Sequence, residues 1–213
     1  MIGLEFFALN GIDKQLDAIM DKSFGFYVEL GANDGVSQSN TLFFERFKNW
    51  SGILIEPHFQ TFERLIKNRS DSNFFKNAAC VSSTYKKNDV ELAFSHLMTT
   101  AIGVETDLDD PFKHAECGSE FWRGDVYTFV APALKLSDIL DEANVPLEMD
   151  LLSLDVEGAE LEVLRGLDHS RHRFNYICVE SRDFVKLNEF LNENDYCFHS
   201  KISTHDYLFE NCG

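Results

Sequence analysis

No window of this chain approaches the ~18 continuous apolar residues of a membrane-spanning helix, so no membrane partner is expected. The opening residues, Met1-Ile2-Gly3-Leu4-Glu5-Phe6-Phe7, lack the cationic segment and sustained apolar stretch of a secretory leader. Cysteine is sparse and odd in number: Cys80, Cys117, Cys178, Cys197 and Cys212, with no CxxC spacing. Neither a zinc ribbon nor a disulfide framework is readable from such a set. Five separate thiols in a reducing, cytoplasmic compartment are therefore expected. Positive charge is also short, with 19 Lys+Arg against 36 Asp+Glu for a net charge of -17. Phosphate backbones are held largely by Lys and Arg, so nucleic acid is an unfavourable partner. A neutral or cationic small molecule, or a sugar, is easier to accommodate. No internal repeat, low-complexity tract or Pro/Gly-rich linker divides the 213 residues, which predicts a single domain over 1–213.

What is present is ordinary globular material, 44% hydrophobic and 26% charged. Twenty phenylalanines add a large aromatic share to the core. Residues 1–25 read as a helical lead-in, because Ile12, Leu16, Ile19 and Met20 fall at helical spacing between Gly11 and Ser23. Short apolar runs then alternate with helical patterns. Phe26–Leu30, Gly52–Ile55, Phe74–Val81, Asp150–Leu154 and Tyr176–Glu180 read as buried strands. Helices are expected through Thr41–Phe47 (capped by Ser37), Phe59–Asn68, after Ser137 as a cap, Gly158–Leu164 and Phe184–Asn192. Ala133–Leu136 is a further strand-like stretch, and Cys197–Phe209 reads as a closing pair of strands. Residues 85–130 break the rhythm and form an insertion. The alternation predicts an α/β fold: a mostly parallel sheet with helices on both faces and a closing antiparallel strand.

In such sheets ligands bind beyond the carboxyl ends of the strands, and the chemistry-bearing residues fall there. The first strand ends in Glu29-Leu30-Gly31-Ala32-Asn33-Asp34-Gly35. A dinucleotide fingerprint wants G-x-G-x-x-G, so that backbone can approach a phosphate. Here Asn33 replaces the second glycine, and Asp34 stands where a phosphate would rest. The loop favours the cationic amino-acid end of S-adenosylmethionine over NAD. Glu56 ends the second strand 25 positions after Gly31, near the ~20 expected of an acid that binds ribose hydroxyls. Ala78 and Ala79 are small enough to let an adenine rest on the third strand. Asp155 and Glu157 follow the fourth strand and precede a helix, where one of them is a candidate general base. No metal site is assigned, although a hard divalent cation could sit among Asp155, Glu157, Glu180 and Asp183. His169, Arg171, His172 and Arg173 read as a solvated helix end, and His205 as structural.

Four blocks together resemble the FkbM family of S-adenosylmethionine-dependent methyltransferases. They are Val28–Gly35, Ile55-Glu56-Pro57, Leu134–Leu140 and the highly specific Asp150–Gly166, DLLSLDVEGAELEVLRG. The resemblance runs from about Phe26 to Phe209. It implies a Rossmann-like methyltransferase fold and O-methylation of sugar or natural-product hydroxyls. Glu29, Gly31, Asn33 and Gly35 would line the cofactor's amino-acid end, Glu56 its ribose, and Asp155 and Glu157 the reaction centre. Little of 85–130 matches, so substrate recognition is expected there, with Phe121, Trp122 and Tyr127 able to stack on a sugar ring. An NAD-dependent oxidoreductase and a non-catalytic binding protein of the same fold are the rival readings.

Overall fold

The computed structural model describes residues 5–146 and 148–213; the first four residues of the expected lead-in lie outside the described residues. The chain opens with α1 (Ile12–Met20), β1 (Phe26–Leu30), α2 (Leu42–Lys48), β2 (Ser51–Ile55), α3 (Phe59–Asn68), β3 (Phe74–Lys76) and β4 (Ala79–Cys80). The middle holds β5 (Asp89–Phe94), β6 (Thr100–Ile102), α4 (Pro111–Trp122) and β7 (Tyr127–Leu134). Then come α5 (Leu136–Ala143), β8 (Glu148–Leu154), α6 (Glu160–Leu164), β9 (Arg173–Glu180), α7 (Phe184–Glu193), β10 (Tyr196–Lys201) and β11 (Asp206–Asn211).

The apolar runs become the centre of a seven-stranded sheet ordered β10-β11-β9-β8-β1-β2-β3. It is parallel from β9 to β3, and β11 runs antiparallel against both β9 and β10. Because strand side chains alternate, each run feeds two cores. Val28, Ile53, Leu152 and Ile177 face Ile139, Leu140 and Leu187. Tyr27, Leu54, Leu151 and Cys178 face Leu16, Phe43, Phe44 and Trp50. Strand order reverses between β1 and β8, which leaves a crevice at their carboxyl ends.

Three expectations change. The expected strand Phe74–Val81 is two: β3 closes the main sheet, and β4 pairs with β7 in a second sheet. Residues 85–130 are not irregular, because β5, β6 and β7 complete that second sheet in the order β4-β7-β5-β6, with α4 beside it. Neither expected serine caps its helix. Ser37 bonds to Asp34, and it is Ser39 Oγ that accepts from Leu42 N at 3.1 Å. Ser137 lies inside α5 and accepts from Asp168 N at 2.7 Å.

The cysteines are corrected as well. Cys197 and Cys212 are joined in a disulfide, Cα–Cα 5.9 Å, leaving Cys80, Cys117 and Cys178 free. The bond ties β10 to the end of the chain just beyond β11. Disulfides persist in oxidising surroundings, so the argument for a reducing compartment loses its basis. Among the described residues, no helix is long and apolar enough to cross a membrane. Thiol titration of the denatured, unreduced protein is expected to count three thiols, rising to five after reduction; five without reductant would contradict the pairing.

Candidate active site

At the β1/β8 crevice lies a cavity of ≈ 430 Å³, within the usual size of small-molecule sites. The main sheet builds one side of it. Gly31 sits at φ +74°, and a Cβ there would come within 1.8 Å of the Asp155 carbonyl oxygen. Only glycine lets the loops after β1 and β8 approach so closely. The next turn places Asn33 at φ +46°, and its N–H donates to Glu56 Oε2 at 3.0 Å. Glu56 Oε1 accepts from His58 N at 2.8 Å. One carboxylate therefore fastens two loops and still has lone pairs to spare for a ligand. Burial pushes Glu56 up to about 7. Ala78 and Ala79 line the same wall, and Asn77 Nδ2 donates to the Glu56 and Pro57 carbonyls.

Glu29 also reaches the cavity, but its carboxylate is already engaged. It accepts from Ser39 Oγ, Asn40 N and Thr41 Oγ1, and pairs with Arg69 at 3.3 Å. Arg69, wholly buried, also holds Glu45, Tyr27 and the Gly35 carbonyl. Asp34 and Gly35, both expected at the cofactor, lie outside the lining. Asp34 closes its own turn by accepting from Val36 N and Ser37 N. Burial works to raise its pKa, but those bonds outweigh it and hold the carboxyl below its usual value. Gly35 packs on Leu65 and Arg69. Glu29 and Arg69 shape the loop whose other residues line the cavity.

The floor is acidic. Carboxylate oxygens of Asp155, Glu157 and Glu180 all lie within 4.8 Å of one another, and Asp206 from β11 joins the lining. Asp155 is exposed and lines the cavity; desolvation raises its pKa above the usual value, and Glu180 and Glu157 add repulsion. Burial likewise lifts Glu180 to about 7. Glu157, at φ +54°, accepts from Arg182 Nη2 at 3.0 Å and faces His114 Nε2 at 2.8 Å. Asp155 and Glu157 both line the cavity; the Asp155 carboxyl is held above its usual pKa, and Glu157 is paired with Arg182. Three carboxylates this close could take a hard cation, but Arg182, 3.0 Å from Glu157 and 3.5 Å from Glu180, already supplies positive charge. Asp183 turns away to cap α7 by accepting from Lys186 N.

The remaining expectations divide. Phe121 and Trp122 line the cavity, whereas the Tyr127 hydroxyl bonds to His58 Nε2 at 2.9 Å. His205 lies outside the lining, and the 169–173 basic cluster makes local contacts such as His169 Nε2 to the Leu164 carbonyl. Arg69, Arg182, His114 and Asp206 were not foreseen, since each meets residues distant in sequence, and His96 was not because it lies in the insertion that presents no pattern.

The sequence model of the methyltransferase FkbM domain matches residues 29–198, four-fifths of the chain and all of the cavity-forming strands from the end of β1 to β9. The chain belongs to the FkbM methyltransferase family. Its activity is S-adenosylmethionine-dependent methyl transfer. No curated protein matches the chain. Among solved structures, TrmK of M. capricolum in complex with S-adenosyl-homocysteine is similar at 12% identity and TM-score 0.47, over 99% of this chain and 70% of that one. The METTL16 methyltransferase domain is similar at 10% and 0.48, over 96% and 69%. A fibrillarin/Nop5p complex gives 10% and 0.38, over 87% and 70%.

Two outcomes follow from the buried charges. Replacing Arg69 with Met strands Glu29 in the interior, and chemical denaturation is expected to show a loss of about 3–5 kcal/mol; a loss under 1 kcal/mol would show that the network carries no such load. Glu160, 2% exposed, accepts from Val156 N and Gly158 N, and burial pushes it up to about 8. A carboxyl raised on folding stabilises most below its unfolded pKa, and that contribution fades as pH rises through the folded value. Stability should thus decline between pH 5 and 8, and Glu160→Gln should flatten the decline, read as Tm against pH.

Proposed function

We propose that this enzyme methylates a hydroxyl oxygen of a neutral acceptor, a sugar or small natural product, using S-adenosylmethionine. The observation that supports this most is the composition of the cavity. Its lining holds Glu29, Glu56, Asp155, Glu157, Glu180 and Asp206, and no Lys or Arg. An acidic wall without basic side chains repels phosphate-bearing acceptors and tolerates neutral or cationic ones. The same wall opposes the pyrophosphate of NAD, which weakens the oxidoreductase reading.

Within this reading, Glu56 holds the ribose hydroxyls, Ala78 and Ala79 face the adenine, and Gly31 and Asn33 shape the amino-acid end. The cofactor brings a methyl on a good leaving group, so the chain's own contribution is alignment and exclusion of water. Asp155, driven towards its neutral form, offers an O–H that orients the acceptor oxygen rather than a charge that would bind it. Asp34 and Gly35 act by setting the turn.

Calorimetric titration with S-adenosylmethionine, S-adenosylhomocysteine and NAD tests the assignment. Micromolar binding of the two adenosyl compounds, no binding of NAD, and loss of binding in Glu56→Ala are expected. Binding of NAD alone, or of none of the three, would overturn it.

A further inference from the structure

A hydroxyl acceptor must lose a proton, and in the acidic floor Glu157 is paired with Arg182 while Asp155, Glu157 and Glu180 crowd one another. Another part of the cavity lining comes from the insertion, and it carries an unpartnered histidine. Of the seven histidines, His96 alone lines the cavity. The others are committed elsewhere: His58 between Thr61 and Tyr127, His114 to Glu157, His169 to a carbonyl, His172 to Asp141, His199 to Ser200, and His205 in the exposed β10–β11 turn. The ring nitrogens of His96 have no hydrogen-bond partner among the described residues.

The backbone around His96 is built to present that ring. His96 stands at φ +53°, a left-handed conformation that costs a non-glycine residue energy and is retained where the surroundings enforce it. Those surroundings are specific. Phe94 lies 5.1 Å away, ring to ring, and Ser95 and Thr100 on either side are buried. Gly118 of α4 leaves no room for a Cβ against Ser95 and Met98, and a Cβ on Gly124 would meet His96 Nε2 at 3.0 Å. The last residues of α4, Phe121 and Trp122, meet edge to face at 4.9 Å. They line the same cavity yet remain 76% and 39% exposed, so they are not core residues.

We propose that His96 is the general base of the transfer, and that Phe121 and Trp122 are the platform that holds the acceptor ring with its hydroxyl towards His96. This rests on the methyltransferase reading above. In the step, the acceptor oxygen forms its bond to the methyl carbon as the carbon–sulfur bond breaks, with that electron pair left on sulfur. The hydroxyl proton passes to the imidazole, which becomes imidazolium and returns the proton to solvent at the open rim. Aromatic faces suit the C–H surface of a sugar ring, and an imidazole is matched to proton transfer near neutral pH.

The test uses the full chain and phenyl β-D-glycosides of glucose, galactose and rhamnose as acceptor probes. Trp50 is buried and Trp122 is the other of two tryptophans. Saturable quenching by a glycoside is therefore expected in the wild type and absent in Trp122→Phe. Release of S-adenosylhomocysteine follows turnover. His96→Gly accepts the left-handed backbone without strain and is expected to cut kcat by ~100-fold or more. KM and calorimetric binding of S-adenosylhomocysteine should stay within about twofold, as a base acts on the chemical step and not on binding. Added imidazole should restore part of the lost rate, which a purely structural histidine would not allow. Undiminished kcat in His96→Gly places the base in the acidic floor and overturns the proposal. So does a loss that imidazole fails to restore, or the absence of quenching and turnover with every glycoside. If the wild type does not bind S-adenosylhomocysteine, the cofactor reading falls as well, which separates the two failures.

Discussion

The site depends on a guanidinium with no water around it. Arg69, at the end of α3, reaches back under the first loop and holds Glu29, Glu45, Tyr27 and the Gly35 carbonyl together. A buried Glu29 and a partly buried Glu45 face one buried cation, so desolvation is tolerable only while all the partners are present. Glu29 can then gather Ser39, Asn40 and Thr41, and these start α2. The loop from Gly31 to Asn40 is thus fixed from beneath, and its upper side is left to line the cavity. A carboxylate that sequence reasoning gives to the ligand is a foundation for the loop that meets the ligand.

A second constraint acts from the other side of the crevice. The turn Asp155–Gly158 is held by residues of the insertion as well as by its own helix. Thr100 Oγ1 donates to the Glu157 carbonyl, Asp107 N to the Gly158 carbonyl, and His114 faces the Glu157 side chain. Arg182, from the loop after β9, completes the enclosure. The left-handed backbone of Glu157 is held because three separate segments, carrying Thr100, His114 and Arg182, meet on it. The result is a floor of acids whose charges are partly neutralised by one arginine and partly suppressed by burial.

Much of this was legible in the sequence, for physical reasons. β1, β8 and β9 are buried on both faces towards their carboxyl ends, so they appear as short, largely apolar runs, and each ends where an acid or glycine meets the crevice. Glu56, Ala78, Ala79, Asp155 and Glu157 were legible because position at a strand end decides their surroundings. The second sheet was not. β7 is exposed or half-buried at every residue but Ala131, and β4 is two residues long, so neither presents a run. Arg69 was hidden because its partners lie 24 to 42 positions away. Asp34 was misplaced because a carboxylate can satisfy the N–H groups of its own turn before it reaches a ligand. The Cys197–Cys212 pair escaped notice because an odd set with no regular spacing does not announce a partner.

β5, β6, α4 and β7 occupy one continuous stretch of chain, from Asp89 to Leu134, and β4, just before it, completes the second sheet. They hold the turn after β8 through Thr100, Asp107 and His114, meet His58 through Phe94, Tyr127 and Phe129, and share with Ala79 and Val81 a small core of Val90, Leu92 and Ala131. The two faces of the crevice therefore come from different parts of the chain and meet at the Asp155–Gly158 turn. A change at Thr100 or His114 reaches both faces, because each bonds to Glu157. A change at Phe121 or Trp122 redraws the outer face while the strands that carry Gly31, Glu56 and Asp155 keep their register, so the grip can alter without the frame.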